Sequence, residues 1–329
     1  MAGPAAAGAF EGIDAEREAF WGFTKPQLIT FGLMLAFIVI SPFYLYPVFL
    51  MKVLCFALFA CAFNLLIGYV GLLSFGHAAY FGMGGYLAGH VAKVWGFTPE
   101  VSILIGGLVA GILGWAIGAL AIRRQGIYFA MITLAMAQMV YFFCVQAPFT
   151  NGEDGIQAIP RGAFLGTVSL QADLSMYWLV AGVFILGFLF IHRVIHSPFG
   201  QVMKAIRENE PRAISLGYRV DDYKLMAFII SAALSGVAGG TKAIVFGIAT
   251  LTDVFWTMSG EVVLMALVGG LGTLFGPVAG AAVIITMQNY LAEFGAWVTV
   301  IQGVIFVLCV LAFRRGVIGE IGRILKVRL

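Results

Sequence analysis

The chain is predicted to be all-α, a polytopic membrane protein of about ten transmembrane helices. Three observations predict it. Its mean hydropathy is +1.00 over 329 residues, too apolar for a soluble globule. Hydrophobic residues make up 61% and charged residues 11%. About ten stretches reach or approach the ~20 apolar residues that a helical span needs. The polar residues are concentrated in a few places, and the longest such run is SPFGQVMKAIRENEPRAISLGYRVDDYK, residues 197–224.

Residues 1–25 read as a polar cytoplasmic tail, with Phe20, Trp21 and Phe23 suited to a membrane interface. Glu11, Asp14, Glu16 and Glu18, without a basic region before a short apolar core, do not resemble a cleavable signal. The transmembrane body is expected over 26–315, with a cytoplasmic helical loop at 194–223, followed by a basic cytoplasmic tail at 316–329. Within it, spans are expected near 27–46, 50–70, 76–94, 101–122, 126–147, 175–194, 224–247, 260–271, 276–292 and 297–313. Tyr44, Tyr46 and Pro47 mark an interface, and the Asn-Gly and Asp-Gly pairs at 151–155 mark turns in a polar segment, 148–174.

Placing both termini in the cytoplasm puts fifteen Lys and Arg residues inside, against Lys52, Lys93 and Arg161 outside and Lys242 within a span. The positive-inside rule selects this orientation. Six of the nineteen Lys and Arg residues fall in 192–224 alone. There, Ser197-Pro198 reads as an N-cap with proline in the first turn. Val202 and Ile206, with the stems of Met203 and Lys204, form one face of a short helix. Pro211 starts a second helix, whose small apolar face is Ala213, Ile214 and Leu216, and Gly217 ends it. Arg207, Glu208, Glu210 and Arg212 surround that face with charge. A passive connector needs only a few residues, so this loop is expected to grip another protein; the bland alternative is a solvated link.

Two further stretches carry polar groups into the apolar body. NLLIGYVGLLSFGHAAYFGMGGYLAG (64–89) holds seven glycines together with Asn64, Ser74 and His77. Glycine at that density permits close packing and helix breaks. A broken backbone at membrane depth must be buried in protein or line a watery cavity, and transporters bind substrates at such breaks. Asn64, Gly71, Ser74, Gly76 and His77 are therefore candidates to line a translocation pathway, with close packing as the alternative. LVGGLGTLFGPVAGA (267–281) breaks a later span similarly and adds Gly272. Lys242 lies deep in a span, where a charge is a functional-site hypothesis by default; snorkelling is its alternative, and a carboxylate such as Glu261 is a possible partner. Glu261 also suits a helix N-terminus.

Other chemistry finds little support. No phosphate-binding Walker loop, no GxSxG and no HExxH occurs. Cys55, Cys61, Cys144 and Cys309 lie in apolar stretches without CxxC spacing. His192 and His196 are four apart but sit at a membrane edge, as does His90. No basic stripe suggests nucleic acid. No catalytic residue, metal or cofactor is expected.

The stretches NLLIGYVGLLSFGHAAYFGMGGY, SPFGQVMKAIRENEPRAISLGY with KLMAFIISAALSGVAGG, and GGLGTLFGPVAGA, in that order, resemble the LivM-type permeases of bacterial branched-chain amino acid ABC importers. The resemblance covers roughly residues 28–315. It implies a non-enzymatic transport subunit of a bacterial inner membrane. Its implied partners are a second homologous permease, two ATPase subunits that bind the ATP, and a periplasmic solute-binding protein. The 197–217 loop then resembles the segment that docks on the ATPase. Ala213 and Gly217 keep the family's Glu-Ala-Ala…Gly spacing, whereas Pro211 stands where the Glu would be. Related permeases serve urea, amides or aromatic compounds, and a self-sufficient secondary carrier is the alternative from another class.

Overall fold

A computed structural model describes residues 25–292, together with 295, 297, 300, 301, 303, 304, 307, 316 and 318–320. It is almost entirely helical. In chain order the helices are α1 (Lys25–Ile40), α2 (Pro47–Tyr69), α3 (His77–Val94), α4 (Pro99–Ala121), α5 (Ile127–Gln146), α6 (Asp173–His196), α7 (Pro198–Glu208), α8 (Glu210–Ser215), α9 (Val220–Phe246), α10 (Trp256–Gly269) and α11 (Gly276–Leu291). A two-stranded hairpin, β1 (Ala163–Phe164) and β2 (Val168–Ser169), lies between α5 and α6.

Among the described residues, six helical segments are long and apolar enough to cross a membrane: Pro26–Phe43, Pro47–Tyr69, Pro99–Ala121, Ile127–Gln146, Asp173–His196 and Val220–Phe246. The count therefore meets the expected ten only roughly. Helix α3 spans 18 residues, diluted by Gly82, Gly84, Gly85 and Gly89. Helices α10 and α11 have 14 and 16 residues, or about 21 and 24 Å at 1.5 Å per residue, short of the ~30 Å hydrocarbon core. They form a hairpin of two helices each shorter than that core. Most of the expected tails, 1–25 and 316–329, and most of the last expected span, 297–313, lie outside the described residues.

Helix α2 is the centre, with every residue from Leu54 to Leu66 buried. Helix α9 packs along α2, α3 and α4 through small residues. A side chain at Gly236 would lie 2.9 Å from the Gly106 carbonyl oxygen, and one at Gly85 would lie 3.3 Å from that of Gly239. Such closeness replaces the missing hydrophobic drive between helices in lipid with van der Waals contact. Outward-facing Leu104, Leu108, Ile112 and Trp115 on α4 are more than half exposed, the pattern of a lipid-facing surface.

The two ends of the bundle differ. One end carries α7 and α8, the turn between α2 and α3, the α4–α5 connection and the α10–α11 turn; Gln125 there donates to the Glu210 carboxylate at 2.9 Å. The other end is capped by the 148–172 segment. Its Ile156 pairs antiparallel with Ala249, Lys93 donates to the Gln157 carbonyl at 2.7 Å, and Glu100 accepts from the Leu165 amide at 2.7 Å. Arg161 ties the cap down through Asp173 (2.7 Å) and the Val245 carbonyl (3.1 Å).

Candidate functional site: two glycine turns and the helical loop

Both glycine-rich stretches break in the same way. Helix α2 ends at Tyr69, Gly71 takes φ +84°, and the Ser74 hydroxyl accepts from the Gly76 amide at 3.2 Å just before α3 begins. Helix α10 ends at Gly269, Gly272 takes φ +77°, and the Thr273 hydroxyl accepts from the Gly276 amide at 3.1 Å as α11 begins. The positive φ requires glycine at low cost. The hydroxyls satisfy amides that a helix start leaves orphaned.

Asn64 ties the second turn to α2, the helix that leads into the first. Its Nδ2 donates to the Thr273 carbonyl at 2.9 Å, and its Oδ1 accepts from the Gly272 amide at 3.0 Å. The side chain is 3% exposed, so its amide does the work of a ladder partner for a backbone that has none. The first turn is also held from outside its own hairpin. Thr133 on α5 accepts from the Phe75 amide at 3.2 Å, and Ser259 on α10 accepts from the Ala78 amide at 2.9 Å.

His77 is fully buried. Its Nε2 lies 2.8 Å from the Ser231 hydroxyl, which itself donates to the Ala62 carbonyl at 2.6 Å. With that hydroxyl proton committed, Nε2 carries the donated proton. Phe63 and Tyr80 meet the ring edge-on. His77 thereby links α3, α9 and α2. The His192 and His196 ring centres lie 4.2 Å apart with the planes tilted by 34°, and no group of three or more metal-ligating side chains occurs among the described residues.

In the loop, the Ser197 hydroxyl accepts from the Gly200 amide at 3.3 Å and caps α7, with Pro198 in the first turn. The second helix starts one residue before Pro211, at Glu210. Its cap is Asn209, whose Oδ1 accepts from the Arg212 amide at 3.1 Å. Gly217 follows α8 at φ +89°. The predicted apolar face is split: Ala213 is buried against Ile206 and Val220, whereas Ile214 and Leu216 are 57% and 69% exposed. The charged rim is split too. Glu208 and Arg212 are exposed. Glu210 turns inward to Lys224 at 2.6 Å.

Arg207 makes the connection to the turns. Its Nη1 donates to the Gly68 carbonyl. Its Cγ lies 3.3 Å from where a Gly71 Cβ would stand, and Nη1 lies 3.0 Å from the corresponding point at Gly272. One side chain of the loop therefore touches both breaks. Beside it, Lys204 lies 5.9 Å from the Tyr69 ring centre, and burial lowers its ammonium pKa below the ordinary lysine value.

Lys242 lies near the opposite end and is paired with Asp253. The Thr250 hydroxyl also donates to Asp253, at 3.3 Å. The partner is thus a residue of the α9–α10 connection, not Glu261, which accepts from Gln288 at 3.1 Å. Thr133, Ser231, Asp253 and Ser259 carry no sequence signal of their own; they are single polar residues whose partners lie on other helices.

Residues 47–311 match the family model described as "Branched-chain amino acid transport system / permease component". The chain is 26% identical over 268 residues to the high-affinity branched-chain amino acid transport system permease protein LivM of Escherichia coli (strain K12); the match covers 74% of this chain and 63% of that protein. It is 26% identical over 258 residues to the probable branched-chain amino acid transport permease protein LivM of Methanocaldococcus jannaschii, covering 66% and 72%. A LivH protein of the same organism is 25% identical over 222 residues, covering 64% and 69%. The chain thus spans less than two thirds of the length of the Escherichia coli relative. No solved structure matches it. With the family model covering most of the chain, and both glycine turns and the helical loop inside the matched region, the chain belongs to the family of branched-chain amino acid transport system permease components.

Proposed function

We propose that this chain is the membrane-spanning permease subunit of an ATP-driven importer for branched-chain or other hydrophobic amino acids. It catalyses no reaction itself. ATP is bound by two partner ATPase subunits, substrate is delivered by a periplasmic binding protein, and a second homologous permease completes the pathway. Similarity to both LivM and LivH proteins supports a paired arrangement. The charge bias of the sequence supports an orientation with the α7–α8 end in the cytoplasm and the cap at the opposite face of a bacterial inner membrane.

The observation that carries this reading is Arg207. An ATPase moves a permease only through a stiff contact. Helices α7 and α8 are each capped at the start, and Ile214 and Leu216 offer an exposed apolar knob flanked by Glu208 and Arg212. Displacement of α7 pulls on Arg207, which bonds the first turn and abuts the second. Both turns hinge on a positive-φ glycine, so a small movement of the loop re-aims the starts of α3 and α11 together.

The test is uptake and ATP hydrolysis by the complex co-purified with its neighbours. Arg207→Ala is expected to leave the ATPase bound and hydrolysis running while L-leucine uptake falls about tenfold or more. Uptake at the wild-type rate would show that the loop is only a connector. Uptake by this chain without any ATPase would favour a self-sufficient carrier.

A further inference from the structure

Four polar side chains lie at one level near the capped end. Lys52 is the sixth residue of α2, Glu261 the sixth of α10, Lys242 the fifth from the end of α9, and Gln288 the fourth from the end of α11. At 1.5 Å per residue all lie about 5–8 Å in from that face. The charges of Lys52, Lys242 and Glu261 act on one another, together with that of Asp253, and Gln288 is neutral. Lys242 and Asp253 neutralise each other in a direct ion pair. Lys52 and Glu261 do not: they are half-buried, of opposite sign, and make no ion pair among the described residues. The Lys52 ammonium has no hydrogen bond there, and only one Glu261 oxygen, Oε2, is occupied, by Gln288. Neither free atom is sealed off.

We propose that Lys52 and Glu261 form a subsite for the zwitterionic head of an α-amino acid, Lys52 holding the carboxylate and Glu261 Oε1 the ammonium. Half-buried opposite charges gain strongly by pairing, and these two leave a gap instead. A lone anion or cation would match one and leave the other unanswered. A ligand carrying both charges on one carbon answers both. The Lys242–Asp253 pair adds no net charge beside them, so the subsite selects for a neutral zwitterion rather than a charged solute. Gly260, next to Glu261, has no atom within 4 Å of where its Cβ would stand, leaving room at the same level for a ligand. This assignment rests on the importer reading above, since it names the substrate class of that permease.

The experiment uses the reconstituted complex with L-leucine as probe. Lys52→Met and Glu261→Gln should each lower L-leucine uptake about tenfold, with assembly and ligand-independent hydrolysis unchanged. The exchange Lys52→Glu with Glu261→Lys should recover part of it. As a readout that a merely structural role would not move, Gly260→Cys should react with a small thiol reagent, and millimolar L-leucine should slow that reaction only while Lys52 and Glu261 are intact. Wild-type uptake with both single variants as active as the parent, or no protection at Gly260→Cys, overturns the subsite alone. A wild-type complex that does not take up L-leucine overturns the branched-chain reading and the subsite with it.

Discussion

The two ends of the helical bundle keep polar groups in an apolar body by different means. At the loop end, the backbone is broken at Gly71 and Gly272, and neutral side chains repair it: Asn64, Ser74, Thr133, Ser259 and Thr273 each bond a main-chain group. At the capped end the helices run unbroken and the side chains carry the charge, in the Lys242–Asp253 pair and in Lys52 and Glu261. A break repaired by amides and hydroxyls has no net charge to desolvate, so it can sit deep and still hinge. A charged level needs a partner for each charge. In the reading proposed above, the loop end is the part that moves and the capped end the part that meets the solute.

Variants at each end put this contrast under strain. Asn64→Leu removes both bonds to the second turn. With each orphaned buried group costing about 1–3 kcal/mol, it is expected to lower thermal stability in detergent more than any other change here, up to about 6 kcal/mol. Asn64→Asp, which keeps the Gly272 contact, should fall between. A melting curve for Asn64→Leu that overlays the parent's would show that the second turn is not held to α2 in this way.

At the other end, Lys242→Met leaves Asp253 buried without its cation, at a cost of about 3–5 kcal/mol. Lys242→Arg should keep most of the stability and transport. Equal, full activity in both would mean that the pair contributes nothing and that Lys242 snorkels to the surface.

Gly272→Leu forces a side chain into positive φ, about 1–2 kcal/mol, and pushes it against Arg207. Gly71→Leu should do the same. Both are expected to assemble, with uptake reduced several-fold and hydrolysis less so; unchanged uptake would remove the turns from the transport cycle. The smallest effect on stability belongs to Ile214→Glu, an exposed substitution expected within about 0.5 kcal/mol. Its effect should show in pull-down of the ATPase, and undiminished capture would move the docking surface away from Ile214.

Legibility followed the range of the interaction. The Ser197 cap, the glycine stop at 217 and most helix edges depend on residues a few positions apart, and they are where the spacing put them. Asn64 and Gly272 are 208 residues apart, so the spacing marked each as polar or permissive but not their bond. The loop shows the same limit within one helix turn. Charge alone placed Arg207, Glu208, Glu210 and Arg212 together on a rim, whereas Arg207, still exposed, bonds the Gly68 carbonyl and Glu210 turns in to Lys224.

What the sequence by itself determined, then, was the class of the molecule, its breaks and its caps. Apolar length dictates a helical membrane protein, because lipid leaves no other way to satisfy a spanning backbone, and glycine with a nearby hydroxyl dictates where a helix can stop. Only the tertiary structure decided which side chain answers which break. Lys242 takes Asp253 from the neighbouring connection, Ala213 disappears between Ile206 and Val220, and one arginine reaches two turns. These choices come from helices that pack closely through small residues and bring distant positions within bonding distance, and no periodicity along the chain records that approach.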